Sequence, residues 1–232
     1  NTYVEACGRI EAGQWAGKQC GAHRMMQDHL TRASNQPGAS TALVLAPIGA
    51  AKSTQVTRWR VEWEVGKNVN LRVLLMSATS QLPESLLSGI KGDITDNPFV
   101  QAVFPRLRPG RKLGQSDWSS DRIHVNRSDN LADPTIQCAG LTSKILGKRL
   151  DLIVLDDMLN TDNTLTPYMR KQVSDKVQSE VMSRRVPHLP SRAWLTGHVW
   201  TEDDLVANMI RQIGTYTLRL GARVQRAKTG RI

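Results

Sequence analysis

Thr41-Ala42-Leu43-Val44-Leu45-Ala46-Pro47-Ile48-Gly49-Ala50-Ala51-Lys52-Ser53-Thr54 is a run of strand character that enters a small-residue loop and leaves it through Lys-Ser-Thr, where an amphipathic helix can start. This is the pattern of a phosphate-binding loop. Backbone N–H groups and a helix N-terminus face an anion, a lysine reaches the outer phosphates, and a hydroxyl joins Mg²⁺. Pro47, Ile48, Gly49, Ala50, Ala51, Lys52, Ser53 and Thr54 are therefore the candidate nucleotide-binding residues, with Lys52 expected to face solvent until phosphate arrives. Two positions depart from the standard pattern: Ala46 and Ala51 stand where glycine is usual. Ala51 is the harder to accommodate, because a Cβ crowds a backbone that must approach phosphate. The competing reading is a small-residue turn with a solvated lysine.

The second half of the pattern lies about a hundred residues on, in Leu150-Asp151-Leu152-Ile153-Val154-Leu155-Asp156-Asp157. An apolar run ending in two acids reads as a buried parallel strand that delivers carboxylates to its C-terminal edge, where open α/β sheets bind ligands. In that reading Asp156 holds the Mg²⁺ shell and Asp157 orients or deprotonates the attacking water.

Between and around these segments strands and helices alternate, which predicts a mostly parallel sheet covered by helices on both faces. Helices are expected over 22–33, 53–65, 80–95, 168–186 and 203–213. Strands are expected over 71–77, 192–198 and 215–220, with 122–127 and 135–139 as an edge hairpin or meander. In 53–65, Val56, Trp59 and Trp63 recur at helical spacing, so Arg58 and Arg60 are expected to point outward. Residues 1–40 read as a helical flanking segment and 41–232 as one domain; no residue upstream of the loop is assignable to an adenine base.

With 31 Lys+Arg against 21 Asp+Glu, the 232-residue chain carries a net charge of +10. Such a balance favours a polyanionic partner. The loop Arg106-Leu107-Arg108-Pro109-Gly110-Arg111-Lys112 is either solvated or a contact to a DNA backbone, with Arg108, Arg111 and Lys112 as candidates. No apolar run approaches the roughly 18 residues of a membrane span. Cys7, Cys20 and Cys138 are odd in number and far apart, which argues against a disulfide framework, and no second Cys/His pair answers the Cys20–His23 spacing to close a zinc site.

The loop 46–53, the strand 71–77 followed by Ala78-Thr79, the segment Gly147-Lys148-Arg149-Leu150-Asp151 before the acidic pair, and Thr196-Gly197-His198 followed by Glu202-Asp203-Asp204-Leu205 together resemble the ATPase domain of the large terminase subunit of tailed bacteriophages. One branch of that family also has Ala before the loop lysine. The resemblance implies a P-loop NTPase of the ASCE type that uses ATP and Mg²⁺ and drives double-stranded DNA into a procapsid in the host cytoplasm. Its implied partners are the small terminase subunit, the procapsid portal and further copies in a ring. By position it implies phosphate and metal binding by Lys52, Ser53 and Asp156, and water activation by Asp157. It also implies γ-phosphate sensing and coupling by Thr196, Gly197 and His198, and a trans-acting Arg149. Ile48 replaces a loop arginine usual in the family, from which slow hydrolysis by the isolated chain is expected. The family's C-terminal nuclease is expected to be absent, and because Asn1 is not an initiator Met the natural start is expected upstream. The alternatives are a helicase-like nucleic-acid ATPase, or a DNA-binding scaffold whose loop no longer hydrolyses nucleotide.

Overall fold

The computed structural model describes Tyr3 and residues 20–110, 118–145, 149–185, 189–212 and 214–221. In chain order these form α1 (Gly21–Ser34), β1 (Ser40–Leu45), a π-helical stretch (Ser53–Arg60) continuing as α2 (Val61–Lys67), β2 (Val73–Ser77), α3 (Gln81–Asp96) and α4 (Pro98–Val103). Then come β3 (Trp118–Ser119), β4 (Arg122–Ile123), β5 (Ile136–Gly140), β6 (Leu152–Asp156), α5 (Thr161–Thr164), α6 (Pro167–Lys176), β7 (Arg192–Gly197), α7 (Leu205–Arg211) and β8 (Thr215–Arg219). A π-turn (Val177–Val181) and a 3₁₀ turn (Met182–Arg184) extend α6. Cys7, Arg111, Lys112 and the Gly147-Lys148 pair lie outside the described residues.

The strands join in one mixed sheet of order β3-β4-β5-β2-β6-β7-β1-β8. From β5 to β8 every ladder is parallel, while β3–β4 and β4–β5 are antiparallel. The short hairpin is the edge meander expected from the polar alternation around Arg122. Every residue of β1, β2 and β6 is buried, as strands covered on both faces require.

Alternate residues divide the core in two. Ala42, Val44, Val73, Leu75, Leu152 and Val154 pack with Met26 and Leu30 of α1, Trp59, Val61, and Leu87 and Ile90 of α3. Leu43, Leu45, Leu74, Met76, Ile153 and Leu155 pack with Val173, Val177 and Val181 behind α6 and with Leu205 and Met209 of α7. The period-two alternation of a strand thus serves two helical layers.

Helix starts follow their capping residues. Asn97 accepts from Phe99 N and Val100 N ahead of Pro98, Thr166 accepts from Met169 N ahead of Pro167, and Asp204 accepts from Ala207 N. The outward face expected for Arg58 and Arg60 is not observed. Arg58, its side chain 20% exposed, turns onto α3 and pairs with Asp93 at 2.8 Å. Arg60 is buried, donating to Glu64, Thr31 and the Gln27 carbonyl, and does not point outward. The wider i→i+5 winding of Ser53–Arg60 shifts the phase that a regular α-helix would keep, and brings this guanidinium under α1.

Candidate nucleotide site

Parallel pairing sets the C-terminal ends of the strands on one edge, so the loop after β1, Ala78 after β2, Asp156-Asp157 at the end of β6 and Gly197-His198 at the end of β7 share it. Register makes this close: Leu45 pairs with Gly197, and Asp156 with Thr196. The strand carrying Thr196 lies between the strand that feeds the loop and the strand that carries the acids.

The loop turns through Gly49 at φ 82° and Ala51 at φ 55°. Its backbone therefore has the left-handed residue the phosphate-loop pattern assigns to glycine, built here with a Cβ at a cost of about 1–2 kcal/mol. Ala51 and Asp157, at φ 45°, are the positive-φ non-glycine residues among those described, and both fall here. Strain held at two positions of one edge is what a site with a required geometry shows.

Lys52 does not face solvent. It is 6% exposed, and its Nζ donates to the carbonyls of Ala46 (3.1 Å) and Pro47 (3.2 Å). The amine is satisfied by the nearest acceptors, the carbonyls of its own loop. Ser53 follows as the first residue of the helix, while Ile48 stands 87% exposed at the loop tip.

Asp156 is 1% exposed. Its Oδ2 accepts from Thr57 Oγ1 at 2.8 Å and its Oδ1 from the Thr196 hydroxyl, with the Ser53 hydroxyl near enough to act on its charge. Burial raises its pKa, with the neighbouring Asp157 charge adding to the shift, while the three hydroxyls act against it. Asp157 is tied through its backbone: its N–H donates to Thr196 O at 3.1 Å, and its carbonyl accepts from Ser77 Oγ at 3.3 Å. Its carboxylate is left free to act, since Oδ1 is buried with no partner.

Thr196, Gly197 and His198 are all in this assembly. A Cβ built on Gly197 would stand 3.8 Å from Asp157 Oδ1. The His198 ring stacks on Trp200 with centroids 5.2 Å apart, and its Nδ1 is buried without a partner. The segment that follows is anchored through Asp204, whose Oδ2 accepts from Trp200 N and Thr201 N, and through Asp203, which pairs with Arg170 of α6. The segment after His198 is thus tied to α6 and to the start of α7.

Sequence reasoning missed Thr57 and Ser77. Thr57 stands four residues after Ser53 on the same helix, a spacing that could have flagged it. Other expected residues are not gathered here. Arg149 is exposed and precedes β6, so the length of the strand separates it from Asp156 in its own chain. Arg108 lies by the antiparallel edge, where its carbonyl accepts from Asn126 N at 2.8 Å and Pro109 bridges Val125.

Among the described residues no three His, Cys, Asp or Glu side chains form a metal cage. A hydroxyl and a carboxylate on the same edge, Ser53 and Asp156, are instead the kind of pair that could hold Mg²⁺, which keeps waters and takes its remaining ligands from substrate phosphates.

The chain is similar to a terminase large subunit. The relative is that of Enterobacteria phage T3, 25% identical over 158 residues, which cover 68% of this chain and 26% of the relative. The matched part thus spans about a quarter of the length of the terminase subunit it resembles. No protein-family profile matches the chain.

Proposed function

We propose that the chain is a P-loop ATPase of the ASCE type that supplies the motor activity of a bacteriophage DNA-packaging terminase. The observation that carries the reading is the hydrogen-bonded assembly Thr57–Asp156–Thr196, flanked by the strained Ala51 and Asp157, on one sheet edge. The strand inserted between loop and acids supports the ASCE assignment, and likeness to a terminase large subunit supports the packaging role.

In this reading Lys52 exchanges its two carbonyl partners for the outer phosphates of ATP. Ser53 and Asp156 would hold Mg²⁺, whose charge offsets that of the phosphates. Asp157, with Oδ1 unpartnered, takes the proton of the attacking water. Thr196 and His198 register the loss of the γ-phosphate and pass it through Asp203 and Asp204 to the helices. Ile48 brings no charge to the transferring phosphoryl group, so the isolated chain turns over slowly until a neighbouring copy supplies an arginine, with Arg149 the candidate. The proposed setting is the host cytoplasm, with duplex DNA, the small terminase subunit, the portal and a ring of like subunits as partners. No helix among the described residues is long and apolar enough to cross a membrane.

The test is steady-state phosphate release over a protein concentration series. Wild type should show Mg²⁺-dependent release that rises with concentration. Asp157→Asn should bind Mg-ATP within about tenfold of wild type yet lose at least 10²-fold in turnover. Retained turnover in this variant contradicts the role given to Asp157, and no release by any form would leave the loop to a non-hydrolysing scaffold.

A further inference from the structure

At the edge of the sheet opposite the phosphate loop, a cavity of about 360 Å³ opens between the C-terminal ends of α1 and α2 and the start of β7. Among the described residues its wall holds one carboxylate, Glu64, whose side chain is 4% exposed. Three cations on the same wall converge on it: Arg60 at 2.7 Å, Arg192 at 3.5 Å and Lys67 at 3.8 Å. Among the described residues three positive charges against one negative leave a surplus of two: Arg60, 5% exposed, is held by Glu64, while the side chains of Arg192 and Lys67 are 24% and 54% exposed. A further guanidinium, Arg185, stands at the start of the neighbouring strand β1, bonded to Ser40 O and Thr41 Oγ1. Partly buried cations without matching counter-charge are costly and attract an anion.

The wall of the cavity also contains a side chain with an unused donor. Ser34, 7% exposed, lines it with its Oγ buried and unpartnered. A buried hydroxyl is seldom left without a hydrogen bond, and leaving it so costs about 1–3 kcal/mol. A tetrahedral oxyanion accepts from a hydroxyl, guanidinium groups and an ammonium at once. The volume exceeds that of one phosphate and falls in the range of small-ligand sites, and the Trp63 ring, with Lys67 Nζ 6.0 Å from its centroid, supplies an apolar wall for an attached sugar or base.

We propose that this cavity is a second phosphate-binding site, distinct from the loop, that takes a phosphate-bearing ligand: a free nucleotide-sized phosphoester or a terminal or backbone phosphate of nucleic acid. Its evidence is independent of the nucleotide site, because no residue of the loop lines it.

The experiment is calorimetric titration without Mg²⁺, using inorganic phosphate, thymidine 5′-monophosphate and a 5′-phosphorylated tetranucleotide as probes. The proteins are wild type, Lys67→Gln, Ser34→Ala and Lys52→Ala. Lys67 is about half exposed, so its replacement leaves the fold intact. Lys67→Gln and Ser34→Ala should each weaken binding about tenfold, the size expected for one charge-assisted hydrogen bond, while Lys52→Ala should bind this site as wild type does. Ser34→Ala should also melt no lower than wild type, since it removes an unsatisfied hydroxyl. Tighter binding of the tetranucleotide than of the monophosphate identifies nucleic acid as the source, and equal or tighter binding of the monophosphate identifies a free phosphoester. Absence of binding by all three probes, or binding lost in Lys52→Ala alone, overturns the proposal.

Discussion

Ala51 has the conformation of a glycine without being one. At φ 55° it carries a left-handed backbone with a Cβ, so Ala51→Gly should relieve the strain. Part of that gain is offset by the greater freedom glycine confers on the unfolded chain, which leaves about 0.5–1 kcal/mol of added stability by denaturant unfolding. Loss of stability would mean that the Ala51 methyl makes packing contacts worth more than the strain. Glu62 gives a second prediction. Burial, aided by the nearby Asp93 charge, pushes its pKa from 4.5 up to about 9, against the Tyr3 hydroxyl bond and the Arg58 charge. An acid whose folded pKa is raised binds more protons in the native state than in the unfolded one. Its contribution to stability is thus complete below about pH 4.5 and declines as pH rises toward about 9. Glu62→Gln, neutral at every pH, should melt higher relative to wild type at pH 8 than at pH 5; the difference cancels the lowered pKa values of His23 and His29, which both proteins share. A constant offset between the two melting curves across that range would show that Glu62 is charged in the native state.

At the scale of elements, the buried parallel strands β1, β2, β6 and β7 were legible because an apolar run ending in small or acidic residues has few other uses in an α/β chain. The same logic put the acids and Thr196-Gly197-His198 on one edge, since parallel strands align their C-terminal ends. What sequence could not supply was pairing across the sheet. Thr57 and Thr196 both reach Asp156, yet they stand 99 and 40 residues from it in the chain, and only the insertion of β7 between β1 and β6 brings them together. Arg60 was misplaced for a different reason: its helix starts with π winding, which a 3.6-residue period does not describe. Lys52 was misplaced because the pattern describes the loop around phosphate, whereas the loop alone offers the ammonium its own carbonyls. Arg149 belongs to a segment that carries the family resemblance, but position along a strand fixes which edge a residue occupies: Arg149 precedes the start of β6, and Asp156 ends it.

At the scale of the whole molecule the net charge bears on the partner proposed above. A net charge of +10 gives any polyanion an attraction that depends on counterion release. Affinity for duplex DNA should therefore be indifferent to sequence and fall about 10³-fold or more between 50 and 200 mM salt if six or more phosphates are neutralised. Filter binding at several salt concentrations with two unrelated duplexes measures both properties. A flat salt response with preference for one duplex would indicate readout of bases, which a packaging motor does not need.

The central claim is that the loop after β1 binds the phosphates of Mg-ATP through Lys52, and the most direct measurement is calorimetric titration of Mg-ATP into wild type and Lys52→Ala. The account predicts saturable binding by wild type and a loss of at least 10²-fold in the variant, the scale of a buried charge-assisted contact to phosphate, with the far-ultraviolet circular dichroism of the two proteins alike. Equal binding by both, or none by folded wild type, would contradict it.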